Sequence, residues 1–370
     1  MISFHKLVIT TLAALTAAQF VSGATDESAR EQNANRRPRP TPTPRVRTVF
    51  DWENFESDIG GVAQFKDANL VNPWGIAVSS RGYVWIADNG TGVATVYYPD
   101  GKPFPNSASP LVVAIPASAS STEGANPTGI VSNSTPFFKV SNGTNALPAQ
   151  FIFVSEDGVI SGWNQQLSNT QAFVAVDNGP ADAVYKGVTR GTFNNQNYLY
   201  ATNFHSGAVE TYDENFVLQA GFPFADPNLT PGFAPFGIRN LNGQIYVTYA
   251  KQDNPADADD DVPGPGNGFV DIFTTNGQFV KRLISGGGLN SPWGLELING
   301  GLWVGNFGDG QINIYGPTSG NFVGSAKDRF GRPLQFDGLW ALVFDNQALY
   351  FSAGIADEEH GLFGVIFPDF

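Results

Sequence analysis

Four polar side chains recur just ahead of a small residue that opens an apolar strand: Asn72, Asn126, Asn290 and Asp337. Their oxygens suit Ca²⁺, which takes about six to eight oxygen ligands. A metal there would act as a Lewis acid on an ester or lactone. Only one of the four is acidic, and Asn72 and Asn126 precede prolines, where Asn also serves the turn itself. A second group is the run DNPADADDDVPGPGNG, with Asp253, Asp257, Asp259, Asp260 and Asp261 inside nine residues. So many carboxylates repel one another unless a cation neutralises them. The run lacks the Gly and terminal Glu of an EF-hand loop, so it reads either as a cation site or as a solvated acidic loop. For either metal proposal, the four strand-start oxygens or the acidic run, calcium is expected to raise the melting temperature and chelator to lower it.

The residue before each small anchor is Trp74, Thr128, Lys186, Phe236, Trp293 and Trp340. The four aromatics either line a ligand mouth or wedge between repeats as core. Packing is the ordinary use of Trp and Phe at fixed repeat positions. Histidines are few: beyond His5 there are His205 and His360, with neither H-E-x-x-H nor G-x-S-x-G around them. Both read as surface residues. No cysteine exists, which removes thiol nucleophiles and Cys-ligated zinc. Four N-x-[ST] triplets, at Asn89, Asn133, Asn142 and Asn228, fall in turn text and are candidate glycosylation acceptors. Pro231 follows the last of them and weakens it.

These positions are set by a repeat. NPWGIAVSSRGYVWIADNGTGVATVYYPDG from Asn72 matches SPWGLELINGGLWVGNFGDGQINIYGPTSG from Ser291, and weaker copies lie between and after them. The anchors are Gly75, Gly129, Gly187, Gly237, Gly294 and Ala341, spaced by roughly fifty residues. Each copy reads strand, turn, strand, turn, strand. In VWIAD, Val84, Ile86 and Asp88 face one way and Trp85 and Ala87 the other. A single such sheet cannot bury both faces, so the copies must stack around an axis. The expected fold is all-β: a six-bladed β-propeller with four-stranded antiparallel blades. The last copy shows three strands, so the stretch from about Asp51 to Phe65 is expected to supply its fourth, an N-terminal strand closing the last blade and its edge.

Composition agrees. Among 370 residues, Gly numbers 42 and Phe 30, while charged residues make up 15%. No long segment shows helical apolar spacing. The net charge of −14 argues against a nucleic-acid partner. Lys6 and the apolar stretch from Leu7 to Val21, with Val21 and Gly23 at cleavage spacing, read as a signal peptide over 1–23. Residues 24–48 are a Pro/Arg-rich linker or pro-segment containing the dibasic pair Arg36-Arg37. The propeller domain runs 49–370. A secreted monomer without a membrane span is expected.

The repeat resembles the NHL type of propeller, whose units run P-x-G-[IV]-a-V and then v-W/Y-V-a-D/N. The resemblance is carried by NLVNPWGIA (Asn69 to Ala77), NPTGIV from Asn126, the stretch from Tyr249 to Phe273, LNSPWGLEL (Leu289 to Leu297), LWVGNFGDGQINIY (Leu302 to Tyr315) and DGLWAL (Asp337 to Leu342). It looks closest to uncharacterised secreted NHL-like propellers and covers nearly everything after residue 50. It implies a fold and no activity. Calcium-dependent lactonase and phosphotriesterase propellers are similar at the level of fold only. Two functions follow as expectations. One is non-catalytic binding of an extracellular carbohydrate, peptide or small molecule, as in a matrix or cell-wall protein. The other is a calcium-dependent hydrolase with Asp337 as principal ligand and Asn72, Asn126 and Asn290 completing the shell.

Overall fold

The computed structural model describes residues 48–254 and 258–367. The segment read as a signal peptide, nearly all of the 24–48 segment with Arg36-Arg37, and Asp257 lie outside the described residues. Among those described, no helix is long and apolar enough to cross a membrane.

Six sheets follow one another along the chain. Blade 1 is Pro73–Val78, Val84–Asp88, Val93–Tyr97 and Val112–Ala114. Blade 2 is Pro127–Ser132, Phe151–Ser155, Val159–Trp163 and Phe173–Asp177, with a hairpin of Lys139–Ser141 and Ala146–Pro148 inserted after its first strand. Blade 4 is Phe233–Leu241, Gln244–Lys251, Phe269–Thr274 and Phe279–Ser285. Blade 5 is Pro292–Ile298, Gly301–Asn306, Ile312–Tyr315 and Phe322–Ser325.

Blade 3 departs from the expected four strands. It holds Tyr185–Phe193, Gln196–Asn203 and Ala208–Tyr212, with a single bridge from Tyr212 to Leu218 in place of an outer strand. The chain there carries Pro223, Pro227 and Pro231. Each proline lacks the N–H that a ladder needs, so pairing cannot extend.

Blade 6 closes the ring as expected. Leu339–Asp345, Ala348–Ala353 and Leu362–Phe367 are followed outward by Asp51–Ser57, which pairs antiparallel with Leu362–Phe367. Phe65–Lys66 adds a short parallel edge.

The anchors are small because the inner strands meet around the axis. A Cβ on Gly75 would stand 2.5 Å from the Thr128 carbonyl oxygen, and on Gly294 2.6 Å from that of Trp340. On Gly129 it would stand 2.7 Å from the Val188 nitrogen, and on Gly187 2.9 Å from the Phe236 oxygen. Backbone approach this close excludes larger residues. Hydroxyls stitch neighbouring blades: Thr128 Oγ1 donates to Tyr185 O at 2.6 Å, Thr202 Oγ1 to Phe236 O at 2.6 Å, and Ser352 Oγ to Trp74 O across the closing seam. Strand alternation feeds two different cores. Trp85 and Ala87 pack toward blade 2, while Val84 and Ile86 pack toward blade 6.

Candidate functional site

One face of the disc collects the starts of the inner strands and the turns that follow the second strands. A repeated backbone clamp fixes these turns. Asn89 N donates to Asn72 O at 3.1 Å, Glu156 N to Asn126 O at 3.0 Å, Phe204 N to Val184 O at 2.8 Å, and Phe307 N to Ser291 O at 3.0 Å. The residue directly after each second strand is thereby aimed at the axis.

At the centre of this face the channel is plugged. Trp74 stacks on Trp340 with centroids 3.4 Å apart, and Phe307 stacks on the other indole surface of the group at 4.1 Å from Trp340. Phe236 and Trp293 meet Trp74 edge-on at 6.3 and 6.1 Å. Trp74, Phe236 and Trp340 are buried and Trp293 is half-buried. Of the two readings of these rings, ligand mouth or wedge between repeats, their burial and mutual stacking match the wedge, because the narrow hub leaves their faces each other to pack against.

Lys186 is buried against this plug, its ammonium 5.3 Å from the Trp74 ring and paired with Glu156, with Asp260 at 3.9 Å. Burial alone would lower its pKa, but Glu156, Asp260 and Asp261 outweigh that and raise it. Around the pair runs a polar chain. Asn89 Nδ2 donates to Glu156 at 2.8 Å, and Asn72 Nδ2 to Glu358 at 2.6 Å and to Asn89 Oδ1 at 3.3 Å. Trp340 Nε1 donates to Asn72 Oδ1 at 3.0 Å, and Trp293 Nε1 to Lys186 O at 3.1 Å. Burial pushes the Glu358 carboxyl up to about 7, with Glu156 and Asp260 adding to the shift. Burial likewise raises Asp261 to about 7, with Asp260 reinforcing it.

Two of the other candidate oxygens are engaged by loops of the same face. Asn290 Oδ1 accepts from Gly264 N at 2.6 Å, and the exposed Asp337 accepts from Ala356 N at 2.9 Å. Asn126 is half-buried and opens outward onto a cleft of about 770 Å³. This cleft is lined by Glu123, Glu156, Asp157, Asp182, His205, Asp259 and Asp260, with the hydroxyls of Ser120, Ser121 and Thr122 on its rim. His205 Nδ1 stands 3.3 Å from Asp259, and His360 Nδ1 2.6 Å from Asp58. Asp259 and Asp260 of the acidic run thus reach the cleft, while Asp261 sits buried behind them.

The exposure expected of the glycosylation triplets fails at Asn89, which is buried with its amide donated to Glu156 and so is a hub residue. Asn133 is half-buried. Asn133 uses its amide nitrogen on Phe137 O and Ala149 O and its oxygen on Thr135 and Arg190. Asn142 and Asn228 are exposed. Sequence reasoning passed over Glu156 and Glu358 altogether. The signal was the residue after each second strand, read down the repeats as Asn89, Glu156, Phe204 and Phe307.

No family model matches the chain. An uncharacterized protein of Acanthamoeba polyphaga mimivirus is 31% identical over 323 residues, covering 83% of this chain and 77% of the viral one. A second uncharacterized mimivirus protein is 30% identical over 351 residues, covering 90% and 91%. Among solved structures, one described as a putative gluconolactonase superposes over 86% of this chain and 93% of its own, at 11% identity and a TM-score of 0.51. A virginiamycin B lyase from Staphylococcus aureus covers 86% and 99%, at 15% identity and a TM-score of 0.47. The likeness to the gluconolactonase structure is one of fold alone. The chain belongs to one family with the two mimiviral proteins, and its fold is a six-bladed β-propeller.

Proposed function

We propose that this is a secreted, non-catalytic propeller that binds an extracellular ligand in the acidic cleft beside its plugged hub. The observation that carries this reading is the commitment of the hub groups to one another. Lys186, Glu156, Asn89, Asn72, Glu358 and Trp340 form one bonded chain. A chain so satisfied is rigid, and the open groups are those of the outer cleft. Carboxylates and hydroxyls on a concave wall suit a polyhydroxylated or cationic ligand, such as a matrix carbohydrate or a basic peptide. Exposed acceptors at Asn142 and Asn228 fit an extracellular life.

The test is a binding screen of the purified chain against polysaccharides and basic peptides, repeated with Asp259→Ala/Asp260→Ala. The expected result is saturable binding that weakens at least tenfold in the variant at unchanged melting temperature. Binding that survives the substitutions overturns the assignment of the cleft.

A second reading, a calcium-dependent hydrolase, is favoured by the Glu358 and Asp261 carboxyls, which titrate near neutrality beside Lys186. It would draw its metal ligands from Asn72, Asn126, Asn290 and Asp337. Calcium-dependent turnover of lactones or aryl esters that is lost in Asp337→Ala would establish it in place of the first.

A further inference from the structure

The opposite face of the disc, where the inner strands end, holds a second concave site with a different chemistry. It is a mouth of about 400 Å³ around the axis. Ile76, Val78, Ile130, Val188 and Val343 give it apolar walls. Arg190 and Arg239, on the inner strands of blades 3 and 4, stand at its edge with Asn240. Inward it narrows to a cavity of about 30 Å³ among Gly75, Gly129 and Gly294, floored by Trp293 of the aromatic plug. The mouth is therefore a blind cup.

The two arginines differ in their partners. Arg239 Nη2 donates to Glu296 Oε2 at 2.9 Å, so its charge is balanced. Arg190 is half-buried and forms no ion pair with any carboxylate among the described residues. Its Nη1 donates to Asn133 Oδ1 at 3.1 Å, a neutral acceptor that also serves Thr135. Its Nε is buried with no hydrogen-bond partner. Burial lowers its pKa, and no neighbouring carboxylate opposes the shift. The backbone that carries it is braced against blade 4: Asn240 Nδ2 donates to Arg190 O at 2.8 Å, and Asn240 N to Thr189 Oγ1 at 3.1 Å. Asp345 also lines the mouth, but on blade 6, across the axis from blade 3. Buried charges are normally paired, and an unsatisfied buried donor calls for a cause.

We propose that this cup binds a small monocarboxylic acid, its carboxylate on the Arg190 guanidinium and its apolar body against the aliphatic walls. A guanidinium presents a planar fork of donors that matches a carboxylate. One cation stands unbalanced, so one negative charge completes the site. A dianion would bring surplus charge beside Glu296 and Asp345, in a chain whose net charge is already −14. The apolar walls select an organic acid over an inorganic anion, and the volume lies in the ordinary range of small-molecule sites. The cup shares no residue with the acidic cleft on the other face.

The experiment titrates the full chain with hexanoate and phenylacetate, following Tm and the heat of binding. Hexanamide is the uncharged counterpart and inorganic phosphate the apolar-free one. The variants are Arg190→Gln, and Ser132→Asp, which sets a carboxylate on the wall of the cup. Either acid is expected to bind saturably at millimolar concentration or below and to raise Tm, with hexanamide and phosphate weaker by about tenfold or more. Both variants should lose acid binding by a similar factor, and Arg190→Gln should keep its ligand-free Tm, which a purely structural arginine would not. Acid binding that survives in either folded variant overturns the proposal. So does a wild type that ignores both acids, or one that prefers phosphate or hexanamide.

Discussion

Two inter-blade pockets bury acidic side chains around a tyrosine, and they balance the charge differently. Beside blade 4, Asp226 and Asp271 lie near Tyr249, and Arg282 enters from the outer strand to pair with Asp226 and to stand 3.4 Å from Asp271. Its guanidinium lies 4.1 Å from the Phe269 ring. One cation serves two carboxylates, and burial, with Asp226 beside it, pushes the Asp271 carboxyl up to about 8. Beside blade 1, Glu56, Asp67 and Asp88 surround Tyr97 with no arginine. Burial, reinforced by Asp67, pushes Glu56 up to about 8, and burial holds Asp88 well above the usual carboxylate range. The difference teaches that the closing seam lowers its charge by holding protons, while the blade 4 pocket carries a cation of its own.

The largest expected effect breaks the self-sufficient pocket. Arg282→Met leaves Asp226 buried without its partner and should cost about 3–5 kcal/mol at pH 7, read by urea unfolding. The loss should shrink at pH 5, where the stranded carboxyls take up protons.

Next comes pH in the absence of divalent ions. The folded-state pKa values of Glu56 and Asp271 are raised above their unfolded values, so each folded carboxyl keeps a proton that the unfolded chain has lost. Stability should therefore fall as pH rises from about 5 to 8, by on the order of 2 kcal/mol for Glu56. Glu56→Gln should remove that share and leave the Asp271 share.

Tyr97→Phe deletes the hydrogen bond to Asp67 and should cost about 1–2 kcal/mol. The smallest effect belongs to the exposed Lys102–Asp100 pair. Lys102→Ala should change unfolding free energy by no more than about 0.5 kcal/mol, which marks how much burial contributes to the other changes.

The fold was legible because its constraints are periodic. Gly75, Gly129, Gly187, Gly237 and Gly294 recur because each meets a neighbouring backbone, and the strand from Asp51 was demanded by an unpaired edge. The missing outer strand of blade 3 was written in three prolines but falls outside the repeat. The site was less legible, because roles there depend on contacts between blades. Trp74 and Trp340 look alike as ligand platform or plug until their faces are seen to stack. Asn89 matches a glycosylation triplet, yet its turn points it at Glu156. Glu56 was hidden by a β-bulge in its strand: plain alternation groups it with Trp52 and Asn54, away from Phe55.

The most direct test is urea unfolding of the wild type and Glu56→Gln from pH 5 to 8. The account predicts that the wild type loses on the order of 2 kcal/mol more than the variant over that range, because the Glu56 carboxyl at the closing seam must give up its proton. Unfolding free energies that run parallel with pH in the two proteins would contradict it.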